Sequence, residues 1–110
     1  RIIAKGYNQT EKLTDVTAHA EMLAITGAAQ YLGSKFLEEC TLYITVEPCL
    51  MCFGAIQWAR PQRVVFGASE PKTGYHSKGL IASPKMEVIS GVLERECSDL
   101  MRSFFKSKRK

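Results

Sequence analysis

Three side chains of the sequence carry metal-binding atoms at a spacing suited to a single site. Cys49 and Cys52 form a Cys-x-x-Cys pair, and His19 lies upstream in a His-Ala-Glu triplet. Thiolate sulfurs and imidazole nitrogens are common protein ligands of Zn²⁺; a structural zinc has four protein ligands, whereas a catalytic zinc has three and an open position for water. Three convincing ligands therefore predict a catalytic zinc site formed by His19, Cys49 and Cys52.

Glu21 is the candidate acid–base group of this site. Two thiolates cancel the formal charge of Zn²⁺ and weaken it as an acid towards water, so a neighbouring base is needed. Because residues two apart on a helix face different sides, His19 and Glu21 can serve one site only if they occupy the first helical turn. The alternative is a first-turn acid that only complements the helix dipole.

Other interpretations of the cysteines and histidines stay open at this stage. Cys49 and Cys52 could form a thioredoxin-like redox pair, although proline precedes them and the His-x-Glu triplet would then be unexplained. A fourth protein ligand, for which His76 is the candidate, would indicate a non-catalytic zinc module that binds RNA. Cys40 and Cys97 lie at a helix-to-strand junction and in an apolar stripe, so we expect core thiols.

The elements that must position these residues follow from hydrophobic periodicity and from Pro and Gly. The sequence predicts strands over residues 1–6, 41–46, 63–67 and 86–89, and helices over 18–32, 49–60 and from 91 onward, with a long loop over 68–85. The last helix carries an apolar stripe of Leu93, Cys97, Leu100, Met101, Phe104 and Phe105. Alternating strands and helices predict a single α/β domain over residues 1–110, with helix N-termini meeting at one sheet edge.

Composition narrows the class of protein. The chain has 110 residues, of which 45% are apolar and 24% charged, which favours one folded domain over a disordered or coiled-coil chain. The longest uncharged stretch, residues 22–34, is shorter than the roughly 20 residues of a membrane span, and no signal peptide is recognisable. We therefore expect a cytoplasmic protein without a membrane partner.

The net charge of +4 is concentrated towards the C-terminus. The last nine residues contain no acid and five basic side chains: Arg102, Lys106, Lys108, Arg109 and Lys110. A basic end fits a polyanionic partner such as RNA, but a solvated terminus would have the same composition.

The order His-x-Glu and then Pro-Cys-x-x-Cys resembles the signature of zinc-dependent nucleobase deaminases. The wider sequence resembles the bacterial tRNA adenosine deaminases of the cytidine and deoxycytidylate deaminase superfamily. The similar segments are residues 1–8, 19–22, 41–52, 63–68, 72–74 and parts of 87–105. This resemblance implies a three-layer cytidine-deaminase-like fold, with a central mixed sheet flanked by helices, from which the first helix and strand are absent.

The resemblance also implies an activity, a cofactor and partners. The expected reaction is hydrolytic deamination of the wobble adenosine of a tRNA anticodon to inosine, by a homodimer with one Zn²⁺ per chain. Glu21 would carry protons, Asn8 would bind the purine edge, and Lys72 would contact phosphate of the anticodon stem-loop. Asn8 could equally end a strand in a turn. The nearest rival is a deaminase of free guanine, cytosine or a nucleoside.

Overall fold

The computed structural model describes residues 2–100 as a small α/β unit. Its main elements are α1 (Ala20–Leu32), β1 (Thr41–Val46), α2 (Leu50–Ala59), β2 (Arg63–Ala68) and β3 (Glu87–Ile89). A 3₁₀ turn, His76–Lys78, lies in the loop between β2 and β3, and residues 94–100 are helical again. The basic tail and the apolar residues Met101, Phe104 and Phe105 lie outside the described residues. Within 2–100, no helix is long and apolar enough to cross a bilayer.

The sheet has the order β1-β2-β3, and both of its pairings are parallel. Leu42 pairs with Val64, which in turn pairs with Val88 on the other side. Helix α2 makes the crossover from β1 to β2, as a parallel pair requires. The α/β class is confirmed, while the described part of the sheet is parallel where a mixed sheet was expected.

Local signals place the helix ends correctly. Gly33 ends α1 with a left-handed φ of 65°, and its N–H bonds the carbonyl oxygens of Ala29 and Gln30. Pro48 and Pro61 bracket α2, because proline suits a helix start and cannot continue a helix interior. The predicted helices over 18–32 and 49–60 therefore agree with α1 and α2 to within two residues at each end.

The predicted N-terminal strand is wrong: residues 2–6 join no sheet and lie along α1 instead. A Cβ on Gly6 would be only 3.1 Å from the backbone nitrogen of Ala24, so glycine permits this close approach. Ile3 and Ala4 pack against the buried cluster between α1 and α2. Burial against helices takes the place of strand pairing, which explains why an apolar pattern alone misled the prediction.

The two faces of the sheet pack against different layers. The inner face, with Leu42, Ile44, Val64 and Phe66, packs with Phe53 and Ile56 of α2 in the main core. On the outer face, the segment 92–97 approaches Gly67, where an added Cβ would lie 2.9 Å from that of Cys97. These helices on opposite faces give the expected three layers.

The predicted roles of the remaining apolar residues are met only in part. Cys40 packs against the cluster between α1 and α2, as a core thiol should, and Cys97 is half-buried. Leu93 and Leu100 are 66% and 62% exposed, so over the described residues the predicted stripe of the last helix is not buried. Side-chain spacing predicted the stripe, but the tight contact with the sheet among the described residues is the one between Cys97 and Gly67.

Candidate metal centre

The three predicted ligands lie at the starts of two helices. His19 is the N-cap of α1 and Cys49 is the N-cap of α2, both with extended backbone angles. Cys52 follows in the first turn of α2 and is completely buried. The first N–H groups of a helix have no partner within the helix and carry partial positive charge, which favours thiolates. The fold thus brings two helix N-termini to one point, as the sequence predicted.

The ligand atoms have the separation that a tetrahedral zinc requires. The Nδ1 atom of His19 is 3.7 Å from Sγ of Cys49 and 3.4 Å from Sγ of Cys52. With Zn–S bonds of about 2.3 Å and a Zn–N bond of about 2.0 Å at tetrahedral angles, sulfur and nitrogen should be about 3.5 Å apart. All three ligand atoms lie within 4.8 Å of one another. The residues present therefore fit Zn²⁺, and the predicted cofactor is confirmed.

The environment of Cys52 also suits a cation. Burial raises the pKa of this thiol, and the charges of Glu21 and Cys49 raise it further. An isolated thiolate is unfavourable there, so a bound metal ion must supply the compensating positive charge if the sulfur is to ligate.

Glu21 meets the condition set for a proton carrier. It lies in the first turn of α1, two residues after the N-cap His19, and its side chain is half-buried. The charge of its carboxylate is one of the causes that raise the pKa of the Cys52 thiol. The acid is therefore at the metal site, on the side of α1 that faces α2, while its catalytic role stays a prediction.

The two predicted substrate contacts lie on exposed loops near the centre. The side-chain oxygen of Asn8 accepts a hydrogen bond from the N–H of Thr10 at 3.0 Å, which is the turn-forming role considered as its alternative. The next residue, Gln9, donates its N–H to the carbonyl of Ala18 at 2.9 Å and so holds this loop beside the start of α1. Lys72 is exposed in the loop after β2, where its N–H donates to Glu70.

Within residues 2–100, which contain every histidine and cysteine of the chain, the metal-binding group has three members. His76 is exposed and is not among them. All four cysteines are free thiols, so Cys49 and Cys52 are not joined as a disulfide. The site thus offers three protein ligands, which is the number that a catalytic zinc uses.

Two residues around the site were missed by the sequence analysis. Glu47 is a buried carboxylate, 8% exposed, just before the Pro-Cys pair, and Tyr75 is equally buried although it lies in a loop predicted to be polar. The ring of Tyr75 stacks on Phe53 with centroids 3.7 Å apart. An acid between an apolar strand and a metal-binding helix was the available signal for Glu47, whereas nothing local distinguished Tyr75.

Comparison with known proteins adds an independent finding. Residues 1–68 match the family described as the cytidine and deoxycytidylate deaminase zinc-binding region. This range contains all three ligands and Glu21.

Individual proteins are similar over a longer range. A protein of Agrobacterium fabrum named tRNA-specific adenosine deaminase is 42% identical over 115 residues, which cover 99% of this chain and 76% of that protein. A solved structure from a study of A-to-I editing by tRNA:A34 deaminases has a TM-score of 0.79 at 40% identity, covering 90% of this chain and 76% of the other. A Bacillus subtilis guanine deaminase structure has a TM-score of 0.64 at 44% identity, and the match covers 72% of this chain and 49% of the other.

Proposed function

Because the chain belongs to the family of the cytidine and deoxycytidylate deaminase zinc-binding region, we propose that it deaminates the wobble adenosine of a tRNA anticodon to inosine. The observation that carries this proposal is the group of His19, Cys49 and Cys52, whose ligand atoms lie within 4.8 Å of one another, with Glu21 in the first turn of the helix that His19 caps. Similarity to a tRNA-specific adenosine deaminase over 99% of the chain supports the choice of substrate.

In the proposed mechanism, one carboxylate moves every proton. Zn²⁺ held by His19, Cys49 and Cys52 would supply Lewis-acid activation of the water nucleophile. Glu21 takes a proton from the attacking water as oxygen adds to C6 of the purine and delivers it to the adjacent ring nitrogen; it then takes the second proton from the new C6 hydroxyl group and delivers it to the departing amino group. The C6–N bond breaks and ammonia leaves, so that adenosine plus water becomes inosine plus ammonia. No second acid is required.

We assign the substrate contacts to the two loops beside this centre. Asn8, held near the start of α1 by the Gln9–Ala18 hydrogen bond, binds the purine edge once its side chain turns from Thr10. Lys72, exposed in the loop after β2, contacts a backbone phosphate. A base in a single-stranded anticodon loop can be extruded into such a site at modest cost.

The proposal includes a homodimer in the cytoplasm, where the tRNA substrate would be met. Trp58 of α2 is 79% exposed beside a groove whose apolar walls are Ile25, Phe36, Ala55 and Ala59. Exposed aromatic side chains in apolar grooves are characteristic of protein interfaces.

We expect Trp58→Glu to convert the dimer to a monomer, as measured by light scattering coupled to size exclusion. Tyr43 is an exposed aromatic residue on the sheet, and Tyr43→Glu should leave the dimer intact. A monomer mass for the unchanged protein in the same measurement would contradict the dimer.

The substrate is tested by incubating the zinc-loaded protein with an anticodon stem-loop that has adenosine at the wobble position. Inosine in the RNA and an equal amount of ammonia are expected, and a stem-loop with guanosine at that position is the control. The similarity to a guanine deaminase makes free guanine the second substrate to assay. Ammonia from free guanine without inosine in the RNA would replace the proposed substrate with that one.

A further inference from the structure

Glu47 is held between strand β1 and the metal-binding helix with both carboxylate oxygens in use. One oxygen accepts the backbone N–H of Glu70 and the other accepts the backbone N–H of His76, each at 3.0 Å. The side chain is only 8% exposed. A buried carboxylate that spans two ends of one loop is an internal anchor for that loop, since a side chain needed only for solubility would face water.

The anchored segment, residues 70–76, lies directly against the residues that carry the first thiolate. Gly74 forms an isolated antiparallel bridge with Cys49, and the N–H of Tyr75 donates to the carbonyl of Pro48 at 3.0 Å. A Cβ on Gly74 would lie 2.5 Å from the carboxyl carbon of Glu47, so only glycine lets the loop close over this group. Loop 70–76 and residues 47–49 therefore form one packed unit.

This unit connects the metal centre with the proposed phosphate contact. Lys72 lies within the anchored loop, and Cys49 is bridged to the same loop at Gly74. Hydrogen bonds from N–H groups to a carboxylate are stronger than those to a neutral acceptor, and a buried N–H that loses its acceptor is costly. The two hydrogen bonds that Glu47 accepts thus help to fix the position of Lys72 relative to Cys49.

We propose that Glu47 is a positioning residue that holds loop 70–76 beside Cys49 as one wall of the substrate pocket. It acts through the loop and not on the reacting atoms. The effect on RNA binding rests on the proposed function, whereas the anchoring of the loop does not depend on it.

Glu47→Gln tests the anchor directly in the zinc-loaded protein. Glutamine keeps the shape but replaces one acceptor oxygen with an NH₂ group that must face an N–H donor. We expect the amide proton of Glu70 or of His76 to exchange with solvent about tenfold faster by NMR, with zinc content unchanged. The amide of Phe66 in β2 is the internal reference. Unchanged exchange at both loop amides would overturn the proposal.

Steady-state kinetics on the anticodon stem-loop test the consequence for substrate. Glu47→Gln should raise KM about tenfold and change kcat less than about threefold, because the acid–base group and ligands are intact. A purely structural role would lower the melting temperature and leave the KM of the folded protein unchanged, which would overturn the proposal. Glu87→Gln is the matched control, since Glu87 is exposed and paired with Arg63 at the far end of the sheet.

Two further measurements keep the outcomes distinct. If Glu47→Gln does not fold, Glu47→Asp retains the carboxylate but shortens its reach by about 1.5 Å, and the same increase in amide exchange is expected. If the unchanged protein does not act on RNA, the proposed function fails, while the exchange rates at Glu70 and His76 still decide whether Glu47 anchors the loop.

Discussion

The two faces of the sheet differ in how completely they are covered. On the inner face, Val64 and Phe66 are at most 5% exposed beneath the fully buried Phe53 of α2. On the outer face, Tyr43 is 75% exposed, and close contact from the last described helix is concentrated where Cys97 meets Gly67. Among residues 2–100, the inner face is a closed core, whereas the outer face is unevenly covered, with Val65 only 8% exposed beside the open Tyr43.

This difference shows which part of the molecule supports the chemistry. The helix that covers the inner face has Cys49 as its N-cap, and its Phe53 stacks on Tyr75 of the loop anchored by Glu47. Core packing and the metal centre therefore share one helix, α2. The outer face has no comparable connection among the described residues, so damage there should affect stability and not the site.

The largest difference in stability is expected between Phe53→Ala and Tyr43→Ala. Removing the buried ring should cost about 3 to 5 kcal/mol, which is comparable with the whole stability of some domains of this size. Removing the exposed ring should cost at most about 0.5 kcal/mol. Urea unfolding of both variants measures the contrast. Equal losses would mean that the two faces do not differ in the way described.

Glu21→Gln should reduce catalytic turnover without changing the stability that the inner-face core provides. Without a proton carrier, turnover is expected to fall by about 10²- to 10⁴-fold, with zinc content and the urea midpoint close to those of the unchanged protein. Single-turnover inosine formation and metal analysis provide the measurements. Glu11→Gln, a change at an exposed acid in the loop before α1, is the control and should retain full activity. Retained activity in Glu21→Gln would remove this residue from the mechanism.

Gly67→Ala tests the one tight contact of the outer face. The added methyl group would meet Cys97 and come within 2.9 Å of the Thr45 carbonyl oxygen, so a loss of about 1 to 3 kcal/mol is expected. Gly54→Ala in α2 is the matched control, because nothing lies within 4 Å of the new Cβ and alanine favours helix. Thermal unfolding should show a lower melting temperature for Gly67→Ala and a higher one for Gly54→Ala. If Gly67→Ala left the stability unchanged, Cys97 and its neighbours would be able to move away from the added methyl group.

The smallest effect is expected at the ion pair between Arg63 and Glu87 on the sheet. Both side chains are well exposed, at 39% and 57%, and the two charged atoms are 2.5 Å apart. Glu87→Gln should lower the melting temperature only slightly, and the difference should shrink as salt screens the charges. Melting temperatures at low and high salt measure it. A large, salt-independent loss would indicate a packing role instead.

Local sequence information predicted much of this structure. The β-branched run of β1, the prolines around α2 and Gly33 after α1 each act within a few residues, so they specify those elements without knowledge of the fold. The ligand set was also accessible, because metal chemistry limits the residue types and their number. The proton-carrying role of Glu21 and the substrate contacts of Asn8 and Lys72 stay predictions.

Other features depended on contacts between distant segments. Residues 2–6 have the apolar pattern of a strand, yet they pack along α1 because Gly6 allows close approach to that helix. Tyr75 looks like a loop residue and becomes buried because Phe53 stacks on its ring and Phe66 packs edge-on against it. No local pattern contains that information.

By itself, then, the order of residues determined most of the elements and predicted the zinc ligands and the acid that follows His19, since these depend on side-chain chemistry and short-range spacing. The tertiary structure alone decided that Glu47 anchors loop 70–76, that the N-terminal segment leaves the sheet, and that the two faces are covered unequally. Each of these features depends on contacts between segments that are far apart in the chain, and only the folded structure brings those segments together.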